Sequence, residues 1–266
     1  MTDLLRIDDL TIRHADRPLV AGVSFAIAPG ERVGLIGESG SGKSLTALAA
    51  IGLLPEGMTA SGSIRLAGRE LVGAADRDIV DLRGSVVATI FQEPLTALDP
   101  LMRIGNQIAE VVRRRARRDG QPVDVQAEVL ALMARVALPD PRRLARAYPH
   151  EMSGGQRQRA AIAMALACRP RLLIADEPTT ALDVTTQAEV LRLLEALVRE
   201  DGMGLLFIGH DLPVVGAAVD RVLVLRGGEL VEAGPVAEVF GRPRHPYTIG
   251  LVGAARTFDR AIGAAL

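Results

Sequence analysis

Hydrophobic and polar residues alternate near the N-terminus of the chain. Val23, Phe25 and Ile27 are separated by single smaller residues, which is the two-residue period of a strand that buries one face. Pro29-Gly30 follows as a turn signal. The pattern predicts antiparallel strands at the start of the chain, and His14 stands where such a strand pair would begin to bend.

Continuous apolar runs replace this alternation further along the chain and predict strands that are buried on both faces, as in a parallel sheet. These runs occupy residues 32–36, 86–91, 171–175 and 205–209. Between the second and third runs, at about residues 93–159, apolar residues follow helical spacing instead. The residues that share one side of the first such helix are Ile104, Ile108, Val111 and Val112.

These patterns predict an α/β fold with a parallel core, an antiparallel β subdomain and a helical subdomain inserted at about 93–159. The interpretation assigns residues 1–240 to one domain and leaves 241–266 as a short C-terminal tail with few core signals. Residues 226–229 contain two adjacent glycines between apolar segments, and they predict a hairpin with a Gly-Gly turn.

Two polar signals mark the helix that follows the third apolar run. Thr186 and Glu189 have the three-residue spacing of a capping box, and an apolar face follows them. We therefore predict that this helix begins at Thr186.

The strongest chemical signal is a glycine-rich segment directly after the first apolar run. It matches the pattern G-x-x-x-x-G-K-[ST] at every fixed position, with the residues Gly37, Glu38, Ser39, Gly40, Ser41, Gly42, Lys43 and Ser44. A strand before it and a helix predicted over 45–54 supply the context that the motif requires. Glycines let backbone N–H groups surround a phosphate, and Lys43 is the only lysine among the 31 Lys and Arg residues. We predict that Lys43 binds the β- and γ-phosphates of a nucleotide and that the Ser44 hydroxyl binds Mg²⁺.

Two carboxylates follow the third apolar run. Asp176 ends the predicted strand and Glu177 follows it, and ligands bind at this end of the strands in parallel α/β sheets. Asp176 is suited to anchor Mg²⁺, and Glu177 is suited to polarise a water that attacks the γ-phosphate. A solvated pair of strand-end carboxylates is the simpler alternative.

A second glycine-serine segment precedes another apolar helix. Ser153, Gly154, Gly155 and Gln156 stand before the apolar residues 160–168. Ser153 is placed to cap this helix, and the same residues could also form a second anion cradle. If both cradles are used, two chains meet head to tail, and each cradle closes over the nucleotide of the other chain.

Composition narrows the classes of partner. The net charge is −1 and aromatic residues make up 3% of the chain, so neither a bulk attraction to nucleic acid nor base stacking is indicated. The single cysteine, Cys168, lies in an apolar run and is expected to be a small core residue. The sequence shows no signal-peptide pattern and no membrane-spanning stretch, which favours a cytoplasmic location. The arginine run at 113–118 predicts a solvated helix face, with contact to a membrane protein, lipid headgroups or nucleic acid as alternatives.

Together, these segments resemble the ATP-binding subunit of ABC transporters. The resemblance covers roughly residues 4–240 and rests on 37–44, Gln92, 153–156, 172–177, 181–183 and His210. It implies a RecA-like P-loop NTPase core that binds ATP and Mg²⁺. By the same resemblance, Gln92 contacts Mg²⁺ and couples to the membrane partner, and the Ser153 segment binds the γ-phosphate on the opposite chain. Asp183 would line the dimer seam, His210 would sense the γ-phosphate, and His14 would occupy the position that stacks on adenine.

Finer motifs resemble the peptide and nickel importer group. They are residues 90–100, Gly37-Glu38-Ser39-Gly40, Lys43-Ser44-Leu45-Thr46 and His245-Pro246-Tyr247-Thr248. The resemblance implies a first-type ATPase subunit that pairs head to tail with a paralogous second ATPase, or with itself, on two transmembrane permease subunits. An extracytoplasmic substrate-binding protein would deliver the peptide, nickel or metal chelate, and the chain would lie at the cytoplasmic face of the cell membrane. Many relatives carry a C-terminal cysteine cluster, and because Cys168 is the only cysteine here, no iron–sulfur cluster is expected.

Two other functional classes stay open at this point. A soluble ABC-type ATPase of DNA repair usually has a long coiled coil between Gly42 and Ser153, which no sustained heptad indicates here, and one of translation usually has two ATPase halves. The other class is a nucleotide-binding regulatory module without turnover, although Glu177 and His210 favour hydrolysis. Nucleic acid is therefore not expected as a partner.

Overall fold

The computed structural model describes residues 3–180 and 182–262 of the 266-residue chain, and these form two compact units. The first unit combines residues up to 82 with those from 202 onward, and the second comprises residues 83–201. The second unit is wider than the helical insertion predicted at 93–159, because it also contains two strands and a long helix. The predicted domain limits, 1–240 and 241–266, stay a prediction.

The chain contains both strands and helices, and five consecutive α-helices separate the strand Val87–Ile90 from the strand Leu172–Asp176. In the part of the chain that the structure describes, the strands are β1 (Leu5–His14), β2 (Arg17–Ile27), β3 (Arg32–Ile36), β4 (Met58–Leu66), β5 (Arg69–Glu70), β6 (Val87–Ile90), β7 (Leu172–Asp176), β8 (Gly204–Gly209), β9 (Arg221–Arg226) and β10 (Glu229–Pro235). The α-helices are α1 (Lys43–Ala49), α2 (Asp76–Ile79), α3 (Pro94–Ala97), α4 (Ile104–Asp119), α5 (Val125–Arg135), α6 (Pro141–Leu144), α7 (Gly154–Ala167), α8 (Val184–Glu200), α9 (Leu212–Ala218), α10 (Val236–Gly241) and α11 (Pro246–Ile262). None of these described helices combines the length and the apolar character needed to cross a membrane.

An antiparallel sheet in the order β2-β1-β4-β5 forms part of the first unit. Leu5 and Ile7 of β1 are completely buried, because alternate residues of a strand face the same side. Leu5 pairs with Ile27 on β2 and with Leu66 on β4, so the apolar faces of the three strands coincide. A bulge at Asp9, where φ is 50°, interrupts this register. The predicted antiparallel β subdomain is confirmed.

The first unit also contains the strands that carry the glycine loop. β3 lies between β8 and β9 and runs parallel to both. Gly34 in the middle of β3 lets helix α9 approach closely, since an added Cβ would lie 2.6 Å from Val215 Cγ1. β9 and β10 form an antiparallel hairpin. Its turn needs glycine because φ is 54° at Gly227 and 88° at Gly228, as the sequence predicts.

In the second unit, a parallel pair of strands is covered by helices. β6 and β7 are parallel, α7 packs on β6, and α4 and α5 pack on α7. Ile104, Ile108 and Val112 of α4 are completely buried, as their helical spacing predicts. The α/β architecture that the sequence predicts is therefore observed in both units.

Arg115 departs from the solvated face that the arginine run predicts. Its guanidinium is buried and donates to both carboxylate oxygens of Glu128, at 2.6 and 2.7 Å, and to the Ala167 carbonyl oxygen at 3.1 Å. Arg115 follows Val112 by three positions and therefore continues the buried side of α4. The prediction is wrong for this residue, whereas Arg113 and its other neighbours in the run point away from the core.

Helix ends are where the structure departs most from the sequence pattern. α1 is shorter than the helix predicted over 45–54. α8 begins directly after Asp183, whose carboxylate accepts the N–H of Thr186 at 3.0 Å. The predicted capping box of Thr186 and Glu189 is therefore wrong, because the aspartate three positions earlier is the N-cap. The range 241–266, predicted as a short tail, contains the whole of α11.

Candidate functional site

The glycine loop, residues 37–44, connects β3 to α1 in the first unit. Gly37, Gly40 and Gly42 have φ values of 154°, 78° and 99°, which residues with a side chain rarely adopt. An added Cβ at Gly37 would lie 2.2 Å from the Leu225 carbonyl oxygen. Only glycine fits at this position, and the loop is thereby held against the end of β9.

Two buried polar side chains of the glycine loop suit an anionic ligand. The Lys43 residue is 6% exposed, and its ammonium donates to the carbonyl oxygens of Gly37 and Glu38 at 2.8 and 2.9 Å. A buried ammonium group is stabilised by an opposite charge such as a phosphate. The Ser41 hydroxyl is also buried and has no hydrogen-bond partner among the residues that the structure describes. The donor set therefore fits phosphate, and Ser44, which is exposed, fits a metal ion beside it.

The exposed rim of the loop consists of Glu38, Ser39 and Gly40. An added Cβ at Gly40 would meet no atom within 4 Å, so this glycine is required by its backbone conformation rather than by a neighbour.

The hairpin turn between β9 and β10 fastens the glycine loop to the antiparallel sheet. Gly228 donates its N–H to the Ser41 carbonyl oxygen at 3.1 Å, and its own carbonyl accepts the N–H of Ala21 at 2.9 Å. Gly42 also lies against β2, since an added Cβ would be 2.8 Å from Val20 Cγ2. Sequence reasoning identified this turn only as a turn, because nothing in its own neighbourhood indicates a contact with so distant a loop.

Two predicted histidines of the site lie in different sheets of the first unit. His210 directly follows β8, whose last residue, Gly209, pairs with Ile36 just before the glycine loop. Because β3 and β8 run parallel, His210 lies at the same edge of the sheet as the loop, and its side chain is exposed. His14 ends β1 and pairs with Met58, in the antiparallel sheet, which approaches the loop through β2.

In the second unit, Gln92 and Glu177 meet at the carboxyl ends of β6 and β7. Gln92 Nε2 donates to Glu177 Oε2 at 3.3 Å, and Thr180 Oγ1 donates to the same oxygen at 3.0 Å. The φ of Glu177 is 45°, a left-handed conformation that is strained for a residue with a side chain. Asp176 immediately before it is the last residue of β7 and is half-buried. These contacts hold the Glu177 carboxylate at one position at the strand end.

The Ser153 segment forms the start of α7. Ser153 Oγ accepts the N–H of Gln156 at 3.3 Å, and Gln156 Oε1 accepts the N–H of Ser153 at 3.1 Å, which is a reciprocal capping box. Ser153 is therefore the N-cap that the sequence predicts. Gly155 lets α8 approach, because an added Cβ would lie 2.5 Å from Thr186 Cγ2. Gly154 is more open, with its nearest neighbour atom 3.5 Å from an added Cβ.

Asp183 has a local structural task as the N-cap of α8. The hydrogen bond from the backbone N–H of Thr186 lowers the pKa of the Asp183 carboxyl below its ordinary value. The carboxylate is thus charged and fixed at a helix start, where negative charge is favourable. Ala181, which belongs to the same sequence motif, lies outside the described residues.

Comparison with known proteins identifies the family. A family model described as "ABC transporter" matches residues 20–180.

The chain belongs to the ABC transporter family.

Curated relatives of this ABC family chain are named for peptide transport. It is 45% identical over 270 residues to the oligopeptide transport ATP-binding protein OppD of Mycobacterium tuberculosis, covering 100% of this chain and 44% of that protein. It is 49% identical over 249 residues to a putative peptide import ATP-binding protein of Brucella ovis, covering 90% of this chain and 73% of that protein. The chain therefore spans less than half the length of the Mycobacterium relative and most of the Brucella relative.

Solved structures of ABC cassettes share the fold. The dimeric post-hydrolysis state of the ATP-binding cassette MJ0796, bound to ADP and Pi, has a TM-score of 0.75 and 28% identity, covering 87% of this chain and 98% of that chain. The protein cbiO1 from Clostridium perfringens, part of the ABC transporter complex cbiONQ, has a TM-score of 0.77 and 24% identity, covering 99% and 98%. These likenesses confirm the predicted P-loop NTPase fold.

Proposed function

We propose that this ABC family chain is the ATP-binding and ATP-hydrolysing subunit of an importer for peptides, with nickel or a metal chelate as the alternative cargo. The observation that carries the proposal is the glycine loop with its buried Lys43 and Ser41. The peptide-transport names of relatives at 45% and 49% identity support the cargo class. The same names favour an importer subunit over an ATPase of DNA repair or translation.

In this proposal, the glycine loop binds the phosphates of ATP. The Lys43 ammonium has three donors, so it keeps its hydrogen bond to the Gly37 carbonyl oxygen and turns its other donors to phosphate oxygens, and backbone N–H groups complete the cradle. His210, at the loop's edge of the sheet, is suited to contact the γ-phosphate. Adenine stacking on His14 stays a prediction.

Hydrolysis is assigned to the second unit's carboxylate. Glu177 orients the attacking water and takes its proton as the water oxygen bonds to the γ-phosphorus and the bond to ADP breaks. The hydrogen bonds from Gln92 and Thr180 support this role because they fix the carboxylate. Mg²⁺, when bound, neutralises phosphate charge, and the sequence motifs predict Ser44, Gln92 and Asp176 as the residues that hold it.

A second ATPase subunit, either a paralogue or a copy of this chain, is proposed to complete the site. Ser153, Gly154, Gly155 and Gln156 would close over the γ-phosphate that the other subunit binds, with Asp183 at the seam. The capping box supports this role because it makes the start of α7 rigid before any partner arrives. The MJ0796 cassette is dimeric in its ADP- and Pi-bound state, which is consistent with such pairing.

The segment after β6 is the proposed contact with two transmembrane permease subunits. It exposes the apolar side chains of Phe91, Leu95, Leu101 and Met102. Leu101 is 86% exposed, and an apolar patch of this kind favours a protein contact. Buried Gln107 shapes the segment, because its side-chain amide accepts the N–H of Asp99 and donates to the Asp99 carbonyl, each at 2.9 Å. Through the permeases the chain would lie at the cytoplasmic face of the cell membrane, and an extracytoplasmic binding protein would deliver the cargo.

Glu177→Gln tests the proposed hydrolysis. The substitution keeps the shape of the side chain but removes the base, so ATP turnover should fall by about 100-fold or more while ATP binding changes little. Turnover is measured by phosphate release with the partner chains present, and binding by calorimetry. Glu200→Gln, at the exposed end of α8, is the matched control and should leave both unchanged. Unchanged turnover in Glu177→Gln would contradict the role assigned to this carboxylate.

A further inference from the structure

The C-terminal motif His245-Pro246-Tyr247-Thr248 has no role in the proposed function. Within the first unit, hydrogen bonds attach it to β10. Glu232 on β10 accepts the N–H groups of Arg244 and His245 at 2.9 and 3.0 Å. His245 Nδ1 then accepts the N–H of Tyr247 at 3.2 Å. Burial alone would raise the pKa of Glu232, but the hydrogen bonds to its carboxylate hold that pKa below its ordinary value. The start of α11 is therefore anchored to a charged carboxylate on β10.

The Tyr247 side chain reaches the glycine loop. Its hydroxyl accepts the backbone N–H of Glu38 at 2.9 Å, although the two residues are 209 positions apart in the sequence. The Arg226 guanidinium lies over the Tyr247 ring, 5.2 Å from its centroid, which is a cation–π arrangement. Arg226 ends β9, directly before the turn whose Gly228 binds the Ser41 carbonyl.

One peptide group joins Tyr247 to Lys43. The C=O of Gly37 and the N–H of Glu38 belong to the same planar trans unit and point in opposite directions. Tyr247 holds the N–H on one side, and Lys43 Nζ donates to the Gly37 carbonyl oxygen on the other side at 2.8 Å. Rotation of this peptide group would therefore break both hydrogen bonds together.

We propose that Tyr247 is a positioning residue of the nucleotide site, which fixes the Gly37–Glu38 peptide group and, through it, the side chain of Lys43. The inference rests on the proposed function, because it takes the glycine loop as the ATP site. It gives the C-terminal motif a task in nucleotide binding: α11 holds the rim of the loop in the shape that receives phosphate. Tyr247 itself does not touch the reacting atoms in this assignment.

Tyr247→Phe tests the inference because it removes the hydroxyl and keeps the ring beneath Arg226. We expect the Kd for ATP, measured by calorimetry on the purified chain, to rise about three- to tenfold, which corresponds to one lost hydrogen bond. Hydrogen exchange followed by mass spectrometry should become faster in residues 36–41 and stay unchanged in the second unit. Turnover at saturating ATP, with the partner chains present, should change less than about twofold, because only binding is weakened. A merely structural role would not produce this separation of binding from turnover.

Two further variants make the test specific. Tyr148→Phe removes the same atom from the second unit, where the Tyr148 ring stacks on His150 at 5.7 Å, and it should match the wild type in ATP affinity and loop exchange. Glu232→Gln weakens the anchor of the motif but leaves the Tyr247 hydroxyl in place, and it should shift both readouts in the same direction by a smaller factor. If Tyr247→Phe fails to fold, Glu232→Gln decides by the same two readouts.

The outcomes separate this inference from the proposed function. The role of Tyr247 would be overturned if Tyr247→Phe equals the wild type in ATP affinity and in hydrogen exchange of residues 36–41. Where Glu232→Gln decides instead, the same result in that variant would overturn it. A wild-type chain that does not bind ATP, and does not differ from Lys43→Ala, would instead overturn the proposed function.

Discussion

The glycine loop in the first unit and the Ser153 segment in the second unit have similar composition, but their polar groups differ in whether they have hydrogen-bond partners within the segment. The loop has no side-chain cap at Gly42, and it buries Ser41 without a partner among the described residues. At the Ser153 segment, by contrast, the side chains of Ser153 and Gln156 satisfy each other's backbone N–H groups. Serine and glycine at a helix start therefore do not define a single task. The first arrangement leaves a buried hydroxyl that a ligand can satisfy, whereas in the second the side chains already satisfy the backbone N–H groups of their own segment.

The glycines of the two regions are required for different reasons as well. At Gly37, both the φ of 154° and the Leu225 carbonyl oxygen exclude a side chain. At Gly155, the obstacle is the methyl group of Thr186, 2.5 Å from an added Cβ. A backbone obstacle cannot be removed by substitution, but a methyl group can. The comparison thus makes predictions that differ in size and in sign.

Lys43→Ala should have the largest effect on ATP binding, because it removes the cation of the glycine loop. Each charge-assisted hydrogen bond contributes about 1.5–3 kcal/mol, so the Kd for ATP should rise about 100-fold or more. Calorimetry on the purified variant measures this, with Arg135→Ala in the second unit as the control. A variant that still binds ATP within threefold of the wild type would contradict the assignment of the loop.

Gly155→Ala should lower the free energy of unfolding by about 1–3 kcal/mol, because the added methyl group overpacks the contact between α7 and α8. Thr186→Ser removes the opposing Cγ2 and should restore most of the loss in the double variant. Urea unfolding of the two single variants and the double variant measures this coupling. Gly37→Ala has no such rescue, since its neighbour is a backbone carbonyl. Additive effects at Gly155 and Thr186 would show that the two groups do not compete for space.

Ser153→Ala should lower stability, whereas Ser41→Ala should not. Ser153→Ala removes an N-cap and should cost about 1 kcal/mol, with ATP affinity of the isolated chain unchanged. Ser41→Ala removes a buried hydroxyl that lacks a partner among the described residues, so stability should stay level or rise by about 1 kcal/mol, while ATP affinity falls. Urea unfolding and calorimetry on both variants provide the comparison. If Ser41→Ala lost more stability than Ser153→Ala, the Ser41 hydroxyl would have to make a stabilising contact in the free chain, which would contradict the comparison.

The smallest expected effect is a pH dependence in the second unit. The hydrogen bond from Arg115 lowers the pKa of the Glu128 carboxyl, against the opposing effect of burial. Because the folded-state pKa is lowered, this carboxylate stabilises the fold above its unfolded pKa of about 4.3 and loses that contribution as the pH falls. Wild type and Glu128→Gln should differ by about 1 kcal/mol at about pH 7 and converge as the pH falls below the lowered folded-state pKa of Glu128. A difference that does not depend on pH would contradict this account, and ATP affinity at neutral pH should be equal in both.

Local sequence patterns predicted the parts of the molecule whose partners are close in sequence. The glycine loop, the N-cap at Ser153 and the turn at Gly227-Gly228 are contiguous signals, so they could be read directly from neighbouring residues. Arg115 belongs to a run of charged residues typical of an exposed face, but its spacing of three positions from Val112 places it on the buried side of α4.

Contacts between distant segments could not be predicted in this way. The hydrogen bond from the Glu38 N–H to Tyr247 joins residues 209 positions apart, and nothing near either residue specifies the other. The bond from Gly228 to the Ser41 carbonyl has the same character. Sequence pattern therefore predicted which residues form the loop, but not which segments hold it in place.

The double attachment of Gly228 has a practical consequence for protein engineering. The tip of a hairpin is ordinarily a permissive position for an inserted epitope or fluorescent domain. Here the tip is bonded on one side to Ser41 and on the other to Ala21, so an insertion would pull apart the loop and the sheet that it joins. Gly120, at the exposed end of α4 with no atom within 4 Å of an added Cβ, is the better place to splice in a label.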